Sequence, residues 1–205
     1  RLVLDAMADY YDEVFACLAV RASGDPSAIS AYSQEARQLA RQFGPSGTWS
    51  SEDVEVALTF SVLSLSFSFQ FLAGLRALLH SGDVIISPAP LTRAAMENCA
   101  RVWWLLDPRL HAPGCIRKRA ARVFLANLDD LTRQKTVALA ANLPSAPRIG
   151  AAVKGWRTQE LKSRFYPSEI VDASGRLTIC GERFPGFSDS MKVLEEASQS
   201  DSASV

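Results

Sequence analysis

SEDVEVALTFSVLSLSFSFQFLAGLRALLH, Ser51 to His80, decides the fold, because it reads as two different structures. From Leu63 to Phe71, in LSLSFSFQF, apolar and other residues alternate with the period of a strand. Yet no turn residue interrupts Ser51 to Gly74, and a strand of that length would far exceed the usual five or six residues. Ser50, Ser51, Glu52 and Asp53 supply hydroxyl caps and first-turn acids, which complement the positive end of a helix dipole. The stretch therefore predicts one long helix to about His80. On it Ala57, Ser61, Ser64 and Ser68 form a stripe of small residues that lets another helix approach closely. Phe and Leu cover the other sides, as expected of a helix buried all round in a bundle.

Val56 to Leu75 carries no charge over a length that could cross a bilayer. Thr59, Ser61, Ser64, Ser66, Ser68 and Gln70 weaken insertion, and no second such segment follows. A core helix is the expectation, with a membrane span as the alternative.

The next helix is SPAPLTRAAMENCARVWWLLDP, Ser87 to Pro108. Ser87 suits an N-cap, Pro88 and Pro90 fit a first turn, and Pro108 pushes Asp107 out of the helical region. Leu91, Ala95, Asn98, Cys99, Val102 and Leu106 share one broad face, which Met96 and Trp103 extend. Arg93, Glu97 and Arg101 fall on one row at i, i+4 and i+8, with Trp104 beside them. Two readings compete for that row. In one, Glu97 holds both arginines in a structural pairing; if buried, its loss in Glu97→Ala would cost roughly 3–5 kcal/mol. In the other, two guanidinium groups and Trp104 receive an anionic or planar ligand by bidentate hydrogen bonds and stacking. Arg76 and His80, one turn apart, are weaker candidates; a polar last turn favoured by the helix dipole accounts for them.

The remaining chain fits the same pattern. Leu2 to Arg21, and a second segment opened by Pro26 and running to Phe43, predict an antiparallel pair of helices before the loop at Gly44 to Gly47. Cys115 to about Ala141 predicts another long helix with Ile116, Ala120, Val123, Phe124, Leu128 and Leu131 inward. Its first turns hold Arg117, Lys118, Arg119 and Arg122, the wrong sign for that end of a helix. Either an anion or an acidic neighbour such as Asp107 compensates, or they lie on a solvated face with Asp129, Asp130 and Arg133; the mixed charge favours the solvated face. Ala151 to Phe165 predicts a shorter helix around Trp156 and Leu161. Residues 167–187 read as a hairpin excursion about Ala173-Ser174-Gly175, followed by a short helix from Ser188 to about Glu196 and a polar, frayed end. The expected architecture is a mainly all-α single domain over 1–205, a helical bundle with long central helices and a small β-hairpin near the C-terminus.

Composition narrows the function classes. A chain of 205 residues with 48% hydrophobic content can bury a full core. Twenty-two basic residues balance twenty-two acidic ones, so no global field draws it to nucleic acid or anionic lipid. The four cysteines, Cys17, Cys99, Cys115 and Cys180, are widely spaced, and His80 and His111 are the only histidines. A metal site is not expected, nor a cofactor, and a reduced cytoplasmic setting is the default. No signal peptide follows Arg1, and the missing initiator Met suggests that numbering starts inside a longer chain.

The run LRALLHSGDVIISPAPLTRAAMENCARVWWLLDP, Leu75 to Pro108, followed by a basic helix to about Lys135, resembles a set of uncharacterised actinobacterial helical proteins and, more distantly, HEPN-type bundles. Arg93, Glu97, the pair Trp103-Trp104 and Asp107-Pro108 carry the likeness, which spans less than a third of the chain. The resemblance implies a bacterial, homodimeric protein and, in the HEPN ribonucleases, an Arg followed after four to six residues by His. Here Arg76 and His80 enclose three residues, and Arg109 and His111 enclose one. Two function classes follow: a helical binding or interaction protein, such as a regulator or defence-system component with a protein partner, or a HEPN-like enzyme acting on RNA or nucleotides.

Overall fold

The chain is mainly α-helical, with a two-stranded antiparallel hairpin near its C-terminal end. The computed structural model describes residues 37–50, 52–81, 88–111, 115–173 and 176–186, together with 188, 189, 191, 192 and 195. The helix predicted at Leu2 to Arg21, most of the one opened by Pro26, and the polar end fall outside those residues.

Helix α1 runs from Glu52 to Ser81, 30 residues without interruption, so the ambiguous stretch is a helix. The serines that gave it a strand-like alternation close onto their own backbone: Ser66 Oγ donates to the Val62 carbonyl and Ser68 Oγ to that of Ser64, each at 3.0 Å. Bonds of this i to i−4 kind satisfy a hydroxyl inside an apolar helix. The small stripe is buried as expected, with Ala57, Ser61, Ser64 and Ser68 at 0–3% exposure.

Helix α2 spans Ala89–Leu106 and ends before Asp107-Pro108, as the prolines require. The two helices meet closely, since Ser68 Oγ also donates to the Ala95 carbonyl at 3.3 Å and Cys99 Sγ donates to Ser68 Oγ at 3.6 Å. Two expectations are corrected here. The buried side of α2 is built on Ala95, Ala100, Val102, Trp104 and Leu105, while Met96 is exposed. A helix apolar over most of its circumference does not specify which side packs. Nor is α1 buried all round: Leu63, Phe67 and Leu79 are about half exposed. The narrow face of small residues is what packs inward, and Leu63 and Phe67, which lie off that face, remain at the surface.

Two compact units are present, one containing Leu58–Leu106 and the other Ala31–Ala57 with Asp107–Phe184. In the second, a 3-10 turn at Pro108–His111 leads to helix α3, Ile116–Ala140. Residues 119–126 of α3 are all buried, arginines included. The chain reverses at Asn142, whose φ of 50° is a left-handed conformation that asparagine tolerates, and the Leu143 N–H caps the Ala138 carbonyl at 2.8 Å. The next helical rod starts earlier than expected and comprises α4, Ala146–Gly155, one π turn, Trp156–Glu160, and α5, Leu161–Arg164.

Phe124 of α3 packs against Trp156 and Phe165, with ring centroids 5.0 and 5.6 Å apart. Trp49 meets Phe165 edge-on at 5.0 Å. That Trp follows a minimal hairpin of β1, Phe43–Gly44, and β2, Gly47–Thr48. The C-terminal hairpin pairs β3, Ile170–Ala173, with β4, Arg176–Ile179, in the register Ile170 to Ile179 and Ala173 to Arg176. Leu177 and Ile179 point to the core. Ser188, Asp189, Met191, Lys192 and Glu195 have helical backbone where the last short helix was expected.

Candidate functional site

Arg93 Nε and Glu97 Oε1 are 3.0 Å apart on α2, with side chains 60% and 30% exposed. This is a surface i, i+4 pair, worth a few tenths of a kcal/mol, rather than the buried network whose loss would cost several. Arg101, next along the row, is half-buried. Trp104 is buried in the core at 6% exposure, which withdraws its ring from a ligand on the helix surface. His80 is exposed and turned onto its own helix, Nδ1 donating to the Arg76 carbonyl at 2.9 Å. Arg93, Glu97 and His80 thus lie at the surface of their helices, while Trp104 lies in the core.

The polar constellation lies instead where the chain leaves α2 and enters α3. Asp107 is 3% exposed and accepts four hydrogen bonds: from the backbone N–H of Arg109 at 3.0 Å, from Arg109 Nε at 2.9 Å and Nη2 at 3.0 Å, and from Arg122 Nη1 at 3.2 Å. Arg122 spans two carboxylates, since its Nε also donates to Glu182 Oε2 at 2.6 Å. Arg119, fully buried, donates through Nη2 to the Asp107 carbonyl at 3.1 Å. Burial would push the Asp107 carboxyl up, but the hydrogen bonds and charge of Arg109, with the charge of Arg122, hold it below the usual carboxylate range. Arg119 and Arg122 are thus not on the solvated face expected for them. With both held inside the helix start, the backbone and carboxylate of Asp107 supply the compensation.

A second cluster adjoins the C-terminal hairpin. Arg117 forms a bidentate pair with Glu169, Nε to Oε1 at 2.9 Å and Nη2 to Oε2 at 2.6 Å. Its guanidinium lies 5.4 Å from the Trp49 ring centroid and 5.5 Å from that of Tyr166, within cation–π range of both. Glu169 also accepts from the Tyr166 N–H at 2.8 Å, closing the capping box of the 3-10 turn at Pro167–Glu169. Burial raises its pKa, but the hydrogen bond and charge of Arg117, with the hydrogen bonds from the Tyr166 N–H and the Cys180 thiol, outweigh that and leave the carboxyl low. The Cys180 thiol donates to Glu169 Oε1 at 3.6 Å, and burial, then the Glu169 charge, push its pKa to about 12.

A cleft of about 200 Å³ is lined by Ser46, Trp49, Glu160, Ser163 and Arg164 among others. Ser46 Oγ donates to the Ser163 carbonyl at 2.6 Å, and Arg164 Nε faces Glu160 Oε2 at 3.3 Å. Among the described residues no group of histidines, cysteines and carboxylates could hold a metal ion.

Chemically, these clusters are cross-links. Asp107 and Glu169 are held ionised by arginine and the Cys180 thiol is held protonated, so none of these three groups is poised as a proton shuttle or a nucleophile. Sequence reasoning offered Asp107 as one compensator for the basic helix start, from the adverse dipole alone, while favouring a solvated face. It missed Glu169 and Glu182, which lie 52 and 60 residues from their arginines. Comparisons with family models, with curated proteins and with solved structures return no match.

Proposed function

We propose that this chain is a helical binding or interaction protein rather than an enzyme acting on RNA or nucleotides. The observation that carries this reading is how the buried polar side chains are used. Asp107, Glu169 and Glu182 bind arginines of α3 in fixed, close geometry, which fastens the second unit's hairpin and turns to its central helix. General acid–base catalysis needs a group whose pKa lies near the working pH, and the shifts at Asp107, Glu169 and Cys180 move away from it. By contrast, α1 offers large apolar side chains to solvent, the usual material of a contact surface. Arg93 and Glu97 supply polar surface groups in the same role.

The test is an assay of the purified chain against short RNAs and nucleotides, for both binding and turnover. No turnover is expected. Hydrolysis that disappears in Arg76→Ala or His80→Ala would overturn the reading and favour a HEPN-like ribonuclease.

A further inference from the structure

We propose that the tip of the α3–α4 helical hairpin binds the surface of a bilayer containing anionic lipid, its aliphatic side chains entering the headgroup layer and its basic legs meeting the lipid phosphates. This surface is separate from α1, and the proposal stands or falls independently of the interaction reading above.

Thr136 to Pro147 takes in the end of α3, the reversal at Asn142 and the start of α4, and it contains no charged residue. Val137, Leu139 and Leu143 are 63%, 55% and 45% exposed, and only Ala138 and Ala146 of that stretch are buried. Val137 and Leu139 are two residues apart, about 200° around a helix, so aliphatic side chains stand out on nearly opposite sides of the last turn of α3. The turn is therefore a projecting tip rather than one apolar face of a rod. A partner helix would cover one side of such a tip and leave the other in water, whereas the headgroup layer of a bilayer surrounds it.

Charge selects an anionic surface. Leu131 to Gln159 holds five basic residues and no acid, in a chain whose total charge is zero. Arg133 pairs with Asp129, one turn farther from the tip. Lys135, Arg148 and Lys154 lie on the two legs roughly 3 to 12 Å back from the helix ends, at 1.5 Å per residue. Lys135 Cε stands 3.8 Å from where a Cβ of Gly150 would be, so the legs run side by side and their charges flank one tip. Long basic side chains at this depth reach lipid phosphates while their stems stay on apolar surface. Nucleic acid would leave Val137, Leu139 and Leu143 in water, and no aromatic residue for base stacking lies from Leu131 to Gly155.

Cosedimentation of the full chain with vesicles tests this, phosphatidylcholine alone beside phosphatidylcholine mixed with phosphatidylserine. Binding is expected to the mixed vesicles only, and should weaken as salt rises. Leu139→Ser combined with Leu143→Ser should weaken it at least about tenfold while the chain still melts cooperatively, because both side chains already face water in the folded chain. Arg148→Gln should weaken it about fivefold, the effect of one cation near such a surface. Arg176→Gln, which removes an exposed arginine outside the tip, should leave it unchanged. No sedimentation with the mixed vesicles, or equal sedimentation with phosphatidylcholine alone, overturns the proposal. Binding that both tip variants leave unaltered assigns the vesicles to another surface and overturns it too. A chain that ignores vesicles but holds a short RNA, with Arg148→Gln weakening that grip, assigns the basic legs to nucleic acid and likewise overturns it.

Discussion

Asp107 and Arg122 sit 3.2 Å apart with side chains only 3% and 10% exposed, joining the residue that ends α2 to the second turn of α3. The carboxylate has given up water for arginine donors, and Arg122 has done so for two carboxylates. Such a pair adds little net stability over a well-packed apolar substitute, but breaking it from one side leaves a buried charge uncompensated. Asp107→Asn should therefore lower stability by about 3–5 kcal/mol, the cost of stranding Arg122 and weakening Arg109. Urea denaturation followed by circular dichroism measures this, and a midpoint equal to the parent's would show that Asp107 does not hold the α3 start.

Acid should act through the same groups. Asp107 and Glu169 are both held below their ordinary values of 3.8 and 4.5. A carboxyl whose folded pKa is depressed stabilises the fold above its unfolded pKa and loses that contribution as pH falls through its folded pKa. The loss should set in below about pH 4.5 and deepen toward lower pH. Repeating the urea titration between neutral pH and pH 3 should show the midpoint falling more steeply in the parent than in a Glu169→Gln variant. Parallel curves would remove Glu169 from the acid response.

Gly44 gives a prediction about packing. A Cβ placed there would lie 2.9 Å from both the Arg164 carbonyl oxygen and Trp49 Nε1, closer than side-chain carbons approach such atoms. One obstacle is backbone and the other a buried indole, so neither yields cheaply. Gly44→Ala should cost about 1–3 kcal/mol, despite the general preference for alanine over glycine in ordered structure. Thermal melting of this variant beside Gly47→Ser would separate close approach from backbone freedom. Gly47 has nothing near its missing Cβ but a φ of 124°, so its cost is conformational.

What could be read from the chain is what local chemistry controls. The limits of α1 and α2 follow from prolines, first-turn acids and the lack of turn residues, and the buried stripe of Ala57, Ser61, Ser64 and Ser68 follows from helical spacing. The packed side of α2 was not legible, because nearly every side of it is apolar. The pairs Arg117 to Glu169 and Arg122 to Glu182 were not legible either, because the hairpin brings together residues remote in sequence. The adverse charge at the start of α3 did raise an acidic neighbour such as Asp107 as one answer, but the mixed charge along the helix favoured a solvated face instead.

Cys180 shows how that arrangement governs reactivity. It sits at φ 51°, followed by Gly181 at φ 78°, in the turn that carries Glu182 to Arg122. Its thiol is half-buried against Glu169, and its pKa of about 12 leaves almost no thiolate at neutral pH. Only the thiolate attacks an alkylating reagent, so Cys180 in the folded chain should react with iodoacetamide on the order of a hundredfold more slowly than an unperturbed cysteine. Glu169→Gln removes one of the two causes and should speed the reaction, while unfolding in urea should restore the ordinary rate. Peptide mass spectrometry of time-quenched samples reads each cysteine separately. If Cys180 were alkylated in the folded chain as fast as in urea, neither burial nor the Glu169 charge would be holding the proton on its sulfur.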